Sequence, residues 1–242
     1  PDGELTQADL EKVTFLNLSK KALITVEGLP YLANLKELDL RYNYLTNVRG
    51  LEKFASLAGL HLTGNPLTTI EGLGKLKNLT HLNLDLRHNW GNGHNGSFNT
   101  LTGLENLTNL EELRIENNDL TSVAVLEKMT RLKVLKLGEN SLTSVAGLEK
   151  LTNLEHLDLD GNSLTSVAGL EKLVNLTHLY LGPSSWNAPS EMNSITSVDG
   201  LGKLWRLQVL DLGANNLTSV SGLEKLTNLR ELDLHGNALT SV

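Results

Sequence analysis

Aliphatic residues recur at fixed spacing along the chain, and the segment LEHLDLDGNSLTSVAGLEKLVN at Leu154–Asn175 carries the pattern clearly. In its first half, apolar residues alternate with polar ones, and the apolar residues are Leu154, Leu157 and Leu159. This alternation predicts a short strand that buries one face. The second half carries four aliphatic residues at intervals of three positions, Leu164, Val167, Leu170 and Leu173. That interval predicts a tight return segment, similar to a 3-10 helix, with one apolar edge.

The same pattern is repeated along nearly the whole chain. Successive units begin at Val13, Leu35, Leu57, Leu79, Leu110, Leu132, Leu154, Leu176, Leu207 and Leu229. Neighbouring starts are 22 residues apart, except after Leu79 and Leu176, where nine additional residues make the interval 31. One unit alone leaves its leucines exposed, whereas stacked units bury a continuous core. We therefore expect a solenoid of about ten coils with its strands side by side.

Two polar features of the unit suit a stacked coil. An asparagine follows the strand in many units, as Asn43, Asn65, Asn118, Asn140, Asn162, Asn215 and Asn237. Its amide can satisfy backbone groups at the turn of neighbouring coils. A glycine precedes the second leucine of the return half, as Gly50, Gly147, Gly169 and Gly222. We expect this glycine to permit a tight bend.

The unit LxxLxLxxNxLTSVxGLEKLTN resembles the 22-residue class of leucine-rich repeats found in bacterial internalins and in eukaryotic phosphatase-regulatory repeat proteins. The resemblance covers residues 13–242. It implies an α/β solenoid, a right-handed horseshoe with parallel strands on the concave face and 3-10 or short helical segments on the convex face. It also implies protein binding, and it does not imply which protein is bound.

The two ends differ from the repeats. Residues 1–12 precede the first unit, and Thr6 with Asp9 three positions later predicts the start of a short capping helix, although Glu or Gln is preferred at the second position. Leu5, Leu10 and Val13 are its expected apolar side. The last unit of the repeat domain, 13–242, stops at Val242 before its return half. Solenoid ends are normally capped, so we expect a longer parent protein or a partner that covers this end.

The two long units carry their nine additional residues near 89–97 (NWGNGHNGS) and 183–193 (PSSWNAPSEMN). Both insertions follow a strand, leave from the same edge and contain one tryptophan, Trp90 and Trp186. Duplication of a four-repeat block explains this similarity with inert loops. The other interpretation is a pair of binding loops, because tryptophan is frequent at interface hot spots. The two interpretations are compatible.

Composition narrows the function. Aromatic residues make up only 4% of the chain, so the core must be aliphatic. The formal charge of −7 argues against binding to nucleic acid or to an anionic membrane. Cysteine is absent, and no run of 18 apolar residues exists, so we expect no disulfides and no membrane insertion. The absence of cysteine favours a secreted or cell-surface protein over a cytoplasmic one.

Side chains between the strand leucines point away from the core and form a candidate partner-binding surface. Together with the two insertion tryptophans, its candidate residues are Asp39, Arg41, His61, His81, Glu112, Arg114, His156, Asp158, Asp160, His178, Tyr180, Asp211, Asp233, Trp90 and Trp186. These columns hold ten acids: Glu37, Asp39, Asp85, Glu112, Glu116, Asp158, Asp160, Asp211, Glu231 and Asp233. They hold three bases, Arg41, Arg114 and Lys136, so their sum of −7 equals the charge of the whole chain. This predicts a basic protein partner, unless the concave strands merely tolerate any polar residue.

Other chemistry is weakly indicated. His156 and His178 fall on adjacent strands near carboxylates, which makes them a candidate zinc pair, although parallel side chains need not converge. No catalytic motif is present, and acids such as Asp158 and Asp160 are expected on an open face without a pocket that shifts a pKa, so we expect no enzyme and no cofactor. The alternative function is a surface or glycan-binding adhesin that uses the two insertion tryptophans. A threonine column, from Thr46 to Thr240, suits ice binding but is also ordinary turn chemistry.

Overall fold

The chain forms one parallel sheet whose strands follow one another in chain order. The computed structural model describes residues 6–86, 96–183 and 192–240. Within these ranges a short helix, α1 (Gln7–Leu10), precedes ten strands of three residues. The strands are β1 (Phe15–Asn17), β2 (Glu37–Asp39), β3 (Gly59–His61), β4 (His81–Asn83), β5 (Glu112–Arg114), β6 (Val134–Lys136), β7 (His156–Asp158), β8 (His178–Tyr180), β9 (Val209–Asp211) and β10 (Glu231–Asp233). The predicted solenoid of parallel strands and short return helices is confirmed.

Equivalent residues of neighbouring coils lie opposite one another in the sheet. Leu157 of β7, for example, pairs with Leu135 on one side and with Leu179 on the other. Each of these middle leucines is fully buried, and they belong to one aliphatic cluster that runs through the stack. Because side chains alternate along a strand, the residues on either side of the leucine point away from this core. The register therefore arranges them in rows that cross the strands.

Short 3-10 helices form the opposite side of most coils. In the part of the chain that the structure describes they are Leu51–Lys53, Leu73–Lys75, Ala124–Lys128, Leu148–Lys150, Leu170–Lys172, Leu201–Lys203 and Leu223–Lys225. All except Ala124–Lys128 begin after a glycine with a left-handed backbone, such as Gly147 with φ 97°. A Cβ at Gly147 would lie only 2.8 Å from the Cα of Ala124. The predicted glycine bend is thus confirmed. Glycine is required at Gly147 because the backbone there is left-handed and because a Cβ would lie too close to Ala124.

The coil that lacks this glycine has a different return helix. Val125 stands where the other units have glycine, and the helix Ala124–Lys128 there has five residues instead of three. The residue before it, Val123, has φ −121°, so the chain enters the helix without a left-handed residue. One substitution in the repeat therefore changes the length of the element.

The glutamate of the return segment closes the bend by a local hydrogen bond. The backbone N–H of Gly147 donates to Oε2 of Glu149 at 2.6 Å, and equivalent bonds join Gly169 to Glu171 and Gly222 to Glu224. Hydrogen bonds from its own backbone N–H and from that of Gly147 hold the pKa of Glu149 below its usual value. In these coils the exposed side of the return segment is held by a hydrogen bond within the coil itself.

A ladder of buried asparagines joins successive coils. Asn162 is fully buried, and its Nδ2 donates to the carbonyl oxygens of Leu137 at 3.0 Å and of Leu159 at 3.1 Å. Its Oδ1 accepts the backbone N–H of Leu142 at 3.0 Å. The side chain thus satisfies backbone groups of two coils, as predicted.

The insertions affect this ladder differently. In the coil of the second insertion Asn193, which the sequence analysis did not assign to the ladder, takes the same position and accepts from Leu164 N at 2.8 Å. In the coil of the first insertion Gly96 occupies that position, and a Cβ there would lie 2.4 Å from Leu67 N. The next rung, Asn118, is buried, and its Oδ1 has no hydrogen-bond partner among the described residues. The first insertion therefore leaves one rung incomplete.

The two ends of the described stack are packed unequally. Helix α1 has the predicted capping box, in which Asp9 N donates to Thr6 Oγ1 at 3.3 Å and Thr6 N donates to Asp9 Oδ2 at 3.2 Å. Leu10 of α1 packs against the core. At the other end all three residues of β10 are exposed, and Leu232 is 43% exposed.

No helix among the described residues is long and apolar enough to cross a membrane. The division into a cap at 1–12 and repeats at 13–242 remains our interpretation.

Candidate functional site

The strand face opposite the core brings several of the predicted residues together at β7 and β8. His156 lies directly opposite His178 in the sheet, and their rings are stacked, with centroids 4.2 Å apart and planes 7° from parallel. The ring of Tyr180 lies 5.7 Å from that of His156 and 6.4 Å from that of His178. We call these three side chains the ring stack. They form a contiguous, partly exposed aromatic surface of the sheet.

His156, one of the rings of the ring stack, is uncharged near neutral pH. Burial, the neighbouring His178 and the positive charge of Lys136 lower the pKa of His156 to about 4. The Oγ1 of Thr177 lies 2.9 Å from Nδ1 of His178, which fixes the orientation of that ring. His81 of β4 has the same arrangement with Thr80, also at 2.9 Å, but it lies outside the stack.

The zinc hypothesis gains no support from this geometry. The rings of His156 and His178 face each other in parallel planes, so they do not converge on one point as metal ligands would. In the described part of the chain no group of three histidine, cysteine or carboxylate side chains is placed to hold a metal ion.

Next to the ring stack, acids crowd around a single lysine. Nζ of Lys136 lies 3.9 Å from Oε1 of Glu116 and 3.9 Å from Oδ2 of Asp158. Burial and the charge of Asp160 raise the pKa of Asp158 to about 7, and burial and the charge of Asp85 raise the pKa of Glu116 to about 7. The expectation that no pKa is shifted on this face is wrong. The side chain of Asp158 is only 14% exposed, because residues of neighbouring coils crowd the rows and remove water.

Glycines on the strand face allow side chains of the next coil to lie flat on the sheet. A Cβ at Gly138 would be 1.8 Å from Oδ1 of Asp160, and a Cβ at Gly182 would be 2.2 Å from Oδ1 of Asp211. Asp160 is therefore buried, with 4% of its surface exposed. Asp160 thus offers little of its surface, and its assignment as a partner-binding residue stays a prediction.

Asp39 is likewise largely buried. It is 3% exposed and accepts two hydrogen bonds from the guanidinium of Arg41, from Nε at 3.0 Å and from Nη2 at 2.7 Å, and a third from the backbone N–H of Arg41 at 3.0 Å. Burial alone would raise the pKa of Asp39, but the bonds from Arg41 outweigh it and hold that pKa below its usual value. This pair is an internal contact of β2 and the turn after it.

The remaining predicted residues are spread along the face. Arg114 is bonded to Glu112 at 2.5 Å, His61 lies 3.5 Å from Glu37, and Asp233 lies 2.7 Å from His235. Asp211 lies beside Tyr180 in the sheet and accepts the N–H of Gly213 at 2.8 Å. Trp90 and Trp186 lie outside the described residues.

A polar groove at the edge where the strands begin was missed by the sequence analysis. It has a volume of about 380 Å³ and is lined by Glu111, Arg131, Lys133, Asn153, Glu155, Asn175 and Arg206. Most units have asparagine before their first leucine, and it donates to a carbonyl of the preceding coil, as Asn153 does to Thr130. Arg131 and Arg206 replace it and instead donate to Asn109 and Asn175, each at 2.7 Å. The two arginines in place of asparagine were the feature of the sequence that could have indicated this groove.

The stacked parallel strands, the aliphatic core, the asparagine ladder and the polar strand face define a leucine-rich-repeat horseshoe. The family comparison agrees. Residues 152–188 and 206–242 match a model described as leucine-rich repeats in two copies, and residues 108–164 match a second leucine-rich-repeat model. The chain therefore carries leucine-rich repeats in a leucine-rich-repeat fold, and its repeats resemble those of internalins.

Solved structures share this fold. Internalin C2 of the bacterium Listeria monocytogenes is 24% identical, with a TM-score of 0.72 over 95% of this chain and 84% of that one. A leucine-rich-repeat protein of Leptospira interrogans is 28% identical, with a TM-score of 0.81 over 99% of this chain and 60% of that one. The ectodomain of the receptor kinase GASSHO1/SCHENGEN3 of Arabidopsis thaliana is 23% identical, with a TM-score of 0.65 over 85% of this chain and 24% of that one. No curated protein sequence matches the chain.

Proposed function

We propose that this protein is a non-enzymatic binding module that holds a basic protein partner on its concave strand face. Leucine-rich-repeat proteins generally mediate interactions between proteins. The observation that carries the proposal is the crowding of acids around Lys136, where the pKa values of Asp158 and Glu116 are raised to about 7. Burial and neighbouring acids make the ionised forms of these carboxylates unfavourable, and a basic partner would stabilise those forms.

Two further points support this proposal. The strand-face columns contain ten acids and three bases, so their excess charge is as large as that of the whole chain. The plant receptor ectodomain that shares this fold was solved in complex with Casparian Strip Integrity Factor 2, which shows that the architecture can hold a second molecule in that protein. Long-range attraction between opposite charges increases the association rate and weakens with added salt.

The test begins with capture of the partner by the immobilised protein and its identification by mass spectrometry. The association rate of the captured partner is then measured across a salt series for the parent and for the double variant Asp158→Lys/Asp211→Lys. We expect the double variant to associate at least about tenfold more slowly at low salt, with little effect at high salt.

The matched control is Glu27→Lys/Glu71→Lys, which makes the same change of charge at two exposed residues away from the strand face. Unchanged association of the Asp158→Lys/Asp211→Lys variant, or equal loss in both double variants, would contradict the proposal.

The alternative is an adhesin that binds a glycan through Trp90 and Trp186. What favours it is the occurrence of one tryptophan in each of two insertions at equivalent places in their units. Replacement of both tryptophans with alanine should abolish glycan-array binding under this alternative and leave binding of a basic protein intact under our proposal.

A further inference from the structure

From the geometry of β6 to β9 we infer that the ring stack and its two flanking aspartates form a recognition site for an arginine side chain of the partner. This inference rests on the proposed function and specifies the partner chemistry at one place on the concave face. The site consists of His156, His178, Tyr180, Asp158 and Asp211, which we call the ring-and-acid patch.

The patch consists of two rows with different chemistry. In the first row Val134, His156, His178 and Val209 follow one another across four strands in register, so four neighbouring side chains lack formal charge when the histidines are neutral. In the second row Tyr180 has Asp158 on one side and Asp211 on the other. Adjacent strands are about 4.8 Å apart, so the two aspartates flank the phenol at about 10 Å from each other.

The aspartates are held in place before any ligand arrives. Oδ1 of Asp211 accepts the N–H of Gly213 at 2.8 Å, and Oδ1 of Asp158 accepts the N–H of Asp160 at 3.2 Å. Each carboxylate therefore retains Oδ2 as a hydrogen-bond acceptor. No lysine or arginine of the described residues forms an ion pair with Asp211, and Lys136 is 3.9 Å from Asp158. The negative charge at the patch is thus incompletely balanced.

The ring of Tyr180 lies within this negative field. Burial and the charges of Asp158, Glu231 and Asp211 raise the pKa of the Tyr180 phenol. An environment that opposes a further negative charge favours a cation at the same place. Aromatic rings and carboxylates together select a cation that can both pack on a ring and donate several hydrogen bonds.

Arginine fits this requirement better than lysine. Its guanidinium is planar, less strongly hydrated than an ammonium group, and has five donors that can reach more than one carboxylate. A guanidinium at Tyr180 is within reach of both flanking aspartates and of the two imidazole rings. Val134 and Val209, at the two ends of the first row, offer apolar surface to neighbours of the arginine, so the fitting partner segment carries an arginine next to aliphatic residues.

The test uses pentaarginine and pentalysine peptides, which have equal charge, in calorimetric titrations with the full chain. We expect pentaarginine to bind the parent at least about fivefold more tightly than pentalysine, because a planar guanidinium packs on the ring stack better than an ammonium group does. In Tyr180→Leu the affinity for pentaarginine should fall to the value for pentalysine, and Tyr180→Phe should retain most of the preference.

A second pair of variants provides the matched control. His178→Leu removes one ring of the stack, whereas His81→Leu makes the same change in the same Leu-Thr-His-Leu sequence outside it. We expect only His178→Leu to reduce the preference for arginine, with circular dichroism showing that both variants are folded.

The outcomes separate this inference from the proposed function. Equal affinity for the two peptides in the parent, or equal effects of His178→Leu and His81→Leu, overturns the arginine site and leaves the basic-partner proposal standing. If neither peptide binds the parent, the arginine site is overturned and the electrostatic basis of the proposed function fails with it.

Discussion

At the scale of single residues, the side chains that determine stability and those suited to binding occupy different rows of the same coil. The asparagine ladder is buried and serves the backbone, whereas the ring stack and its neighbouring acids lie on the strand face. Crowding on that face raises the pKa of Asp158, so its charge opposes folding even as it would favour a cationic ligand.

We expect two substitutions in the asparagine ladder to lower the free energy of unfolding by different amounts. Asn162→Ala leaves the N–H of Leu142 without its partner, whereas the carbonyl of Leu137 keeps the hydrogen bond from Asn140, and we expect a loss of about 1–3 kcal/mol. Asn118→Ala should cost at least about 1 kcal/mol less, because Oδ1 of Asn118 has no partner among the described residues to lose. Urea unfolding of both variants measures the difference, and equal losses would show that the incomplete rung does not exist in solution.

Two carboxyl variants are expected to have opposite pH dependence. The pKa of Asp158 is raised in the folded state from 3.8 to about 7, so its contribution to stability is present at low pH and is lost as pH rises through 7. Asp158→Asn should therefore stabilise the fold by about 2 kcal/mol at pH 8, and the gain should vanish below about pH 4.

Glu149→Gln is the comparison for that measurement. The pKa of Glu149 is lowered in the folded state, so its contribution is present above its usual pKa and is lost as pH falls. The substitution should destabilise the protein at neutral pH and have little effect in acid. Thermal unfolding from pH 3 to 9 records both curves, and curves of the same sign would contradict the assigned shifts.

At the scale of the element, the return helix depends on one backbone conformation at its start. Glycine provides it in six coils, and the coil with Val125 forms a longer helix instead. The repeated sequence therefore tolerates more than one way of closing a coil, provided that the buried leucines keep their spacing. The insertions also leave the strand register on both sides unchanged.

Two glycines at the same place in the repeat should respond differently to alanine. Gly147 has φ 97°, and a Cβ there would meet the backbone of Ala124 at 2.8 Å, so Gly147→Ala should cost about 1–3 kcal/mol. Gly28 has no heavy atom within 4 Å of a built Cβ and no positive φ, so Gly28→Ala should change the free energy of unfolding by less than about 0.5 kcal/mol. Chemical denaturation compares the two, and similar costs would rule out local strain as the reason for the glycine.

At the scale of the whole molecule, each coil contacts only its neighbours, so stability is set by interfaces between adjacent coils. The acids of the strand face are likewise brought together only by stacking, since Glu116 and Asp158 belong to coils two positions apart. A curved sheet of this kind offers one extended surface, which suits a protein partner better than a small molecule.

The last described coil should be the most mobile of the described coils. Its strand β10 has one neighbour and is exposed along its length, with Leu232 43% exposed. We expect amides of residues 229–240 to exchange with solvent at least about tenfold faster than those of β6 and β7, because a terminal unit has only one interface. Hydrogen exchange measures this, and a fused polar capping repeat should slow it. Equal protection in all coils of the monomer would refute the expectation.

The sequence by itself determined the strands, the return segments, the ten coils and the leucine core. These features follow from the spacing of hydrophobic residues within one unit, such as Leu154, Leu157 and Leu159. This spacing is a local property of the sequence, and because it is repeated in every unit, the leucines can be buried only when the units stack. The sequence also indicated where polar side chains point, because direction alternates along a strand.

Tertiary structure alone decided which of those polar side chains meet, which are covered and which charges are perturbed. The stacking of His156 on His178 and the burial of Asp160 over Gly138 depend on contacts between different coils, and so does the burial that raises the pKa of Asp158. Such contacts involve residues 22 or more positions apart, and their distances are fixed by register and side-chain packing rather than by the spacing within a unit. For that physical reason the repeated sequence predicts the shape of the surface, and the stacking of the coils determines its chemistry.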